Sequence, residues 1–301
     1  MILIGVPLWT GLTTVADPSF DSATAQILGR RDCQEDAIVA HFAQGRDLSF
    51  VVLADGMGGH AAGDIAAKIV VTEVFSELMF QDENKQNLWT GMHGTLRAAA
   101  RSADDCIAAY VAANPAAKGM GATLVAPVIL NRSLWWISIG DSPLFLFRDG
   151  ILRQLNEDHS LAPQIDFMAA NGLLDPTTAR DHPDRNVLTS VLFGARVDRI
   201  DCPADPVTLQ NGDILIVASD GLQFLDNHGI AAVLAANLRR SSAMIAQKLL
   251  AAIAQLDDPD QDNVSFCVIK VLPALSRSVE EAAKWCRHTT RPTSYAIKAG
   301  E

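Results

Sequence analysis

The sequence predicts an α+β fold, a four-layer α/β/β/α sandwich in which two mainly antiparallel sheets are flanked by helix pairs. Short apolar segments follow one another with hairpin-type turns between them, and Asp149-Gly150 is the strongest of these turn signals. Two pairs of consecutive helical patterns, near residues 61–111 and 229–254, interrupt the apolar segments. Strands and helices that occur in runs are typical of α+β proteins, and each helix pair could cover one sheet.

The first part of the chain contains three predicted strands and the first helix pair. Residues 1–21 are predicted to form an N-terminal arm, and the strands follow at 23–27, 37–41 and 48–54. In the helices at 61–79 and 88–111, apolar residues such as Ile65, Ile69 and Leu96 recur at helical spacing. Asn114-Pro115 ends the second helix.

The rest of the chain contains a strand meander, an irregular segment and the second helix pair. The predicted strands lie at 122–130, 133–139, 144–147, 151–155, 213–218 and 264–271, and the helices at 229–237 and 242–254. Several strands are apolar on both faces, which predicts sheets covered on both sides. Prolines and glycines break the segment at about 161–190. The predicted organisation is therefore an arm at 1–21, a folded domain at 22–272 and a basic tail at 273–301.

Composition and charge exclude several classes of protein. The 301 residues carry a formal net charge of -11, which disfavours nucleic acid and anionic membranes as general partners. Five scattered cysteines without CxxC spacing argue against a disulfide framework and a thiolate zinc site. The apolar N-terminus lacks a basic leader, and no apolar run reaches the roughly 18 residues of a spanning helix. We expect a cytoplasmic protein.

Acidic residues recur at the ends of apolar runs. Asp55, Asp141 and Asp220 each follow such a run and precede Gly or Ser, and Asp262 lies just before the last strand. A turn or a helix cap would explain any one of them alone. Strand ends of one sandwich meet at a rim, however, where clustered carboxylates repel unless cations neutralise them. Such oxygen ligands favour Mg²⁺ or Mn²⁺, and two-metal sites of this kind hydrolyse phosphate esters.

Two loops next to these strands add chemistry. Asp55-Gly56-Met57-Gly58-Gly59-His60 contains glycines that allow a backbone carbonyl to approach a cation, although a flexible turn before a helix is the alternative. The stretch 29–36 contains Arg31, whose guanidinium can bind a phosphate bidentately, followed by Glu35 and Asp36, which can hold metal-bound waters. A charged hairpin loop would explain the second stretch equally well.

Seven motifs occur in an order that resembles one known family. They are Arg-x-x-Gln-Glu-Asp (31–36), Asp-Gly-Met-Gly-Gly-His (55–60), Gly-Ala-Thr (121–123), Gly-Asp-Ser (140–142), Glu-Asp-His-Ser (157–160), Ser-Asp-Gly (219–221) and Asp-Asn-Val-Ser (262–265). The chain resembles the PPM family, the type 2C metal-dependent serine/threonine protein phosphatases, in its bacterial form. The resemblance extends over about residues 22–271.

The resemblance implies roles for the candidate residues. Asp55 would bridge two Mn²⁺ or Mg²⁺ ions, the Gly56 carbonyl would bind one of them, and Asp220 and Asp262 would complete the ligands of the other. Glu35 and Asp36 would act through water, Arg31 would bind the substrate phosphate, and Asp141 would contribute to a third, weaker metal position. The catalytic residues would then be Arg31 and Asp55, and the segment at about 161–190 would be the mobile flap of the family.

The implied activity is hydrolysis of phosphoserine and phosphothreonine in proteins by a metal-activated water, without a phosphoenzyme. The substrate would be a phosphoprotein made by a serine/threonine kinase, and the enzyme a monomer. Many eukaryotic members have histidine at the position of Met57 and arginine at that of Pro143; Met57 cannot donate a proton, so the leaving group must be protonated by a metal-bound water or another group. Two alternatives remain open: an inactive, partner-binding domain, and a hydrolase of small phosphate esters or nucleotides.

Overall fold

The computed structural model describes residues 19–42, 48–58, 61–82 and 88–273. Within these ranges the chain forms eleven strands and six α-helices. The strands are β1 (Ser19–Ile27), β2 (Asp36–His41), β3 (Leu48–Met57), β4 (Gly121–Ala122), β5 (Leu124–Leu130), β6 (Ser133–Ile139), β7 (Leu144–Arg148), β8 (Ile151–Gln154), β9 (Val207–Thr208), β10 (Ile214–Ala218) and β11 (Val264–Leu272). The helices are α1 (Ala61–Asp82), α2 (Leu88–Ala113), α3 (Ala162–Ala170), α4 (Pro176–Arg180), α5 (Asn227–Ala236) and α6 (Ser242–Leu256).

The strands form two sheets, which we call sheet 1 and sheet 2. Sheet 1 has the order β1-β11-β10-β7-β8, and sheet 2 has the order β2-β3-β5-β6-β9, with β4 paired to β3. The strand pairs within the described residues are antiparallel. The predicted pair of antiparallel sheets is confirmed.

Alternation along β3 shows why the strands are apolar on both faces. Phe50 and Val52 belong to an outer core that sheet 2 forms with α1 and α2. Val51 and Leu53 point the other way, into an inner core that the two sheets share. Successive side chains of a strand point to opposite faces, so a strand between a helix layer and a second sheet must be apolar throughout.

Sheet 1 is covered in the same way by α5 and α6. Ile216 and Phe266 of the sheet pack in a second outer core with Ile230 of α5 and Leu249 of α6. The layer order is therefore α/β/β/α, as predicted. None of the helices in the described part of the chain is long and apolar enough to cross a membrane.

The segment at 161–190 is more regular than the sequence suggested, because it contains α3 and α4. Two of its three prolines mark helix starts instead of breaks: Pro163 and Pro176 lie in the first turns, where a missing N–H costs nothing. Asp175 caps α4 by accepting the N–H groups of Thr177 and Thr178. The predicted strand 122–130 is divided at Thr123 into β4 and β5.

Most of the predicted arm and nearly all of the predicted tail lie outside the described residues. Of the predicted arm, residues 19–21 belong to β1, which pairs with β11 from Ser19 onward. Residues 1–18 and 274–301 lie outside the described residues. The proposed arm and basic tail therefore stay predictions.

The strand connections bring several chain segments to one rim of the sandwich. The end of β10 pairs with the start of β11 through Ala218 and Phe266. The start of β2 pairs with the end of β3 through Asp36 and Asp55. The predicted acidic residues follow or precede these strand ends.

Candidate active site

A cavity of about 510 Å³ opens at this rim. It is lined by side chains from the loop after β1, the end of β3, the turn after β6, the turn after β10 and the residues before β11. Among them are seven of the eight predicted site residues: Arg31, Glu35, Asp55, Gly56, Asp141, Asp220 and Asp262. The strand ends thus bring together residues that lie more than 200 positions apart.

Asp55 is fixed at the end of β3 by its main chain. Its N–H donates to Thr123 Oγ1 at 2.9 Å, and its carbonyl accepts the Thr123 N–H at 2.8 Å. Burial raises the pKa of the Asp55 carboxyl well above its usual value, and nearby carboxylates raise it further. In decreasing order these carboxylates are Asp36, Asp220, Asp141 and Asp262.

Asp220 and Asp141 lie in the same acidic environment. Burial, and then the charge of Asp262, raises the pKa of Asp220, while a hydrogen bond with the Asp55 carboxyl lowers it in part. Burial, followed by the charges of Asp220 and Asp158, raises the pKa of Asp141 to about 7. Asp220 Oδ1 is buried and has no hydrogen-bond partner among the described residues. An unpartnered acceptor of this kind is costly unless a cation or water satisfies it.

Asp262 forms an ion pair with Arg31. Arg31 Nη2 donates to Asp262 Oδ2 at 2.6 Å, and the Asn263 N–H donates to Oδ1 at 2.7 Å. The Arg31 side chain is 57% exposed. It therefore lies at the mouth of the cavity, within reach of a ligand.

Glycines allow the backbone segments of the site to touch. A Cβ on Gly56 would lie 2.1 Å from the carbonyl oxygen of Gly63 in α1, and one on Gly221 would lie 1.9 Å from that of Asn263. No side chain fits at these distances. The end of β3 and the turn after β10 can therefore approach the start of α1 and of β11 only with glycine.

Glu35 and Asp36 are separated by the strand geometry. Glu35 lines the cavity, whereas Asp36 does not. Asp36 is buried behind the cavity wall, where Ser219 Oγ donates to its Oδ2 at 2.8 Å. Burial and, after it, nearby carboxylates raise the pKa of Asp36 to about 7, against hydrogen bonds from serines that lower it.

Three polar residues that sequence reasoning left without a role hold the site together. The Asn263 side chain accepts the Glu35 N–H at 2.8 Å and donates to the carbonyls of Leu28 and Cys33, so it joins the Arg31 loop to β11. Thr123 binds the main chain of Asp55, and Ser219 binds Asp36. All three residues lie in the quoted motifs, which was the available signal.

The donor set fits a divalent cation, although the carboxylates do not enclose one. Within the described ranges, no three His, Cys, Asp or Glu side chains are placed closely enough to hold a metal ion as they stand. The chemistry nevertheless favours a hard cation, because the donors are oxygens and Asp220 has an unpartnered one.

The segment at 161–190 forms one side of the cavity, to which it contributes Asn186 and Leu188. The base of the segment is closed by an isolated bridge between Ser160 and Leu188. Its own Arg185 binds Asp166 through two hydrogen bonds of 2.6 and 2.9 Å. Met57, 40% exposed, also lines the cavity, whereas His60 lies outside the described residues.

Comparison with known proteins shows the family to which the sequence is similar. A model of the family described as "Protein phosphatase 2C" matches residues 28–255. Over 175 residues, which are 57% of this chain and 31% of the relative, the sequence is 33% identical to the serine/threonine protein phosphatase PstP of Mycobacterium tuberculosis. The chain thus spans about a third of the length of this curated relative.

Solved structures agree in fold. A serine/threonine phosphatase of S. agalactiae has a TM-score of 0.72 at 27% identity, with 84% of this chain and 100% of that one covered. The catalytic domain of a serine/threonine protein phosphatase PstP in complex with two manganese ions has a TM-score of 0.66 at 28% identity, with 84% and 99% covered.

Proposed function

Because this chain belongs to the protein phosphatase 2C family, we propose that it is a serine/threonine protein phosphatase that depends on divalent cations. The observation that carries the proposal is the meeting of carboxylates from both sheets in one cavity with Arg31 at its mouth. Acidic oxygens that gather cations next to a phosphate-binding arginine are what a phosphomonoester hydrolase needs.

The carboxylates at the strand ends would hold the ions. Asp55 would bridge two Mn²⁺ or Mg²⁺ ions, and the Gly56 carbonyl would bind one of them. Asp220 and Asp262 would bind the other. When bound, such ions supply the Lewis acidity that makes water nucleophilic near neutral pH and offset charge on the phosphoryl group. The manganese pair in the solved PstP catalytic domain supports this choice.

Three further acids would assist. Glu35, which lines the cavity, would act on the ions through water. Asp36 would do so from behind the wall, or stabilise the site by holding Ser219. Asp141 would contribute to a third, weaker cation position next to Asp220, whose charge already affects its pKa.

Arg31 would bind the phosphoryl group of the substrate. Its Nη2 is bonded to Asp262, but a guanidinium carries five N–H donors in a fixed fork. The same side chain can therefore remain bonded to Asp262 and donate to a phosphate. This arrangement would place the phosphoryl group beside the carboxylates.

The lining of the cavity supports direct attack by water, without a phosphoenzyme. Desolvation and the neighbouring Glu35 raise the pKa of the Cys33 thiol, which disfavours a thiolate nucleophile. The Thr123 hydroxyl is bonded to the Asp55 N–H and to Ser142 Oγ, so it is held away from a nucleophilic role. We propose that the substrate is a phosphoprotein made by a serine/threonine kinase, and that the enzyme acts on it as a cytoplasmic monomer.

The test is phosphate release by the full chain from a phosphothreonine peptide, with Mn²⁺ and with EDTA. We expect turnover only with Mn²⁺, and a loss of about 10³-fold in Asp220→Asn. Absence of Mn²⁺-dependent turnover would contradict the proposal and favour a partner-binding domain. Faster release from ATP or p-nitrophenyl phosphate than from the peptide would instead favour a hydrolase of small phosphate esters.

A further inference from the structure

His159 is a fully buried side chain that lies just outside the cavity, and the motif analysis gave it no role. It belongs to the link between β8 and α3. Its ring Nδ1 accepts the Gly140 N–H at 3.2 Å, and its main-chain N–H donates to the Gly140 carbonyl at 3.1 Å. Both polar groups of Gly140, the residue before Asp141, are therefore bonded to one histidine.

Gly140 needs such a partner because the chain turns there. The residue follows the end of β6, where the chain leaves sheet 2 for β7 in sheet 1. Its φ is +103°, and a Cβ would lie 2.6 Å from the Thr123 side chain, so neither the conformation nor the space suits another residue. A buried N–H without an acceptor costs about 1–3 kcal/mol, and His159 Nδ1 supplies that acceptor.

His159 is itself held from the other side. Its carbonyl accepts the Thr189 N–H at 2.7 Å and the Thr189 hydroxyl at 2.8 Å. Since Nδ1 is an acceptor, the ring proton is assigned to Nε2. Nε2 is buried without a hydrogen-bond partner among the described residues, 3.7 Å from Glu157 Oε2. Nδ1, the acceptor of the ring, is thus bonded to the Gly140 N–H.

We propose that His159 is a positioning residue: by bonding both sides of Gly140 it fixes the direction in which Asp141 enters the cavity, and it thereby sets the affinity of the Asp141–Asp220 side for a divalent cation. The inference rests on the proposed function, because it assumes that the cavity binds such cations. Residues that orient a ligand typically change metal affinity by about 10–100-fold.

The test compares three substitutions in the full chain. Asparagine places its Oδ1 at about the position of histidine Nδ1, glutamine places its amide one bond further out, and leucine has no acceptor. The readout is Mn²⁺ binding by titration calorimetry and by the electron paramagnetic resonance signal of free Mn²⁺. We expect the weakest binding step to lose at least about tenfold in affinity in His159→Gln and His159→Leu, and less than about threefold in His159→Asn.

Two further measurements separate positioning from loosening of the fold. Thr189→Val removes one hydrogen bond to the same histidine but leaves Nδ1 on Gly140, so its Mn²⁺ affinity should stay within about twofold of wild type. At saturating Mn²⁺, peptide hydrolysis by His159→Gln should return to within about threefold of wild type. If His159→Leu does not fold, the Asn and Gln pair carries the comparison.

The inference is overturned if Asn and Gln variants bind Mn²⁺ equally well, or if Thr189→Val weakens binding as much as His159→Gln. In either case the wild-type protein would still bind Mn²⁺ and hydrolyse the peptide, and the proposed function would stand. A wild-type protein that neither binds Mn²⁺ nor hydrolyses the peptide would overturn both.

Discussion

Strand β10 has a buried aspartate near each end, and the two differ in what neutralises them. Asp213, 2% exposed, lies before the strand and receives two hydrogen bonds from Arg148, at 2.8 and 2.6 Å. Asp220 lies after the strand, faces other carboxylates and has a buried oxygen without a partner among the described residues. A built-in counter-ion makes the first end a structural contact, whereas the second end, under the proposed function, would receive its positive charge from a divalent cation.

The largest expected effect comes from removing a carboxylate of the cavity at the Asp220 end of β10. Asp55 of the neighbouring β3 is such a carboxylate. Asp55→Asn should lower kcat/KM for a phosphothreonine peptide by about 10³-fold or more in Mn²⁺, because a carboxylate that we propose to hold the cations is lost. The same variant should melt no lower than wild type in EDTA, since it removes one acid from a buried group of mutually repelling carboxylates. Steady-state kinetics and thermal melts measure both. Robust turnover by the folded variant would contradict the assignment.

The opposite result is expected at the other end of the strand. Arg148→Met should lower the free energy of unfolding by about 3 kcal/mol, because it leaves Asp213 buried and unpaired. Urea denaturation checks this, and kcat per folded molecule should not change. Arg132→Met is the matched control: Arg132 binds the neutral Asn211 side chain in an exposed contact, so its loss should cost less than about 1 kcal/mol. Equal effects of the two substitutions would remove the contrast.

We expect Mn²⁺ to stabilise the protein through the Asp220 end of β10 and not through the Asp213 end. At about 100 times its dissociation constant, Mn²⁺ should raise the free energy of unfolding by about 2.7 kcal/mol. Asp220→Asn should lose most of this gain, whereas Arg148→Met should keep it. Melting temperatures in a Mn²⁺ series followed by EDTA measure the effect. An equal response of the two variants would show that the cation binds elsewhere.

The smallest expected effect is on the pH dependence of stability without divalent cations. Asp141 and Asp36 have pKa values near 7 in the folded protein, raised from 3.8 mainly by burial. Their contribution to stability is therefore complete below about pH 4 and is lost as pH rises through about 7. Urea denaturation in EDTA should show a shallower decline over this range for Asp141→Asn than for wild type. Identical pH profiles would contradict the raised pKa of Asp141.

The local sequence pattern was sufficient to predict the layer order and the meeting of the acidic strand ends. It was insufficient to predict features that depend on contacts between distant residues. Strands that are apolar on both faces, such as β3 and β10, require two covering layers wherever they occur. The prolines in 161–190 did not predict the helices there, because a proline can either break a helix or occupy its first turn. The sequence also placed Glu35 and Asp36 together, although adjacent residues point to opposite sides of an extended chain. Thr123, Asn263 and His159 act through partners that only the folded chain brings near.

The origin of the cavity acids in both sheets has a mechanical consequence. Asp55 lies in β3 of sheet 2, whereas Asp220 follows β10 and Asp262 precedes β11, two strands of sheet 1. A divalent ion shared among them would cross-link the two halves of the sandwich at one end, in addition to the hydrogen bond that Ser219 donates to Asp36 there. Amide hydrogen exchange in β3 and β10 should then slow on addition of Mn²⁺, so that the rigidity of the inner core reports cation occupancy even when no substrate is present.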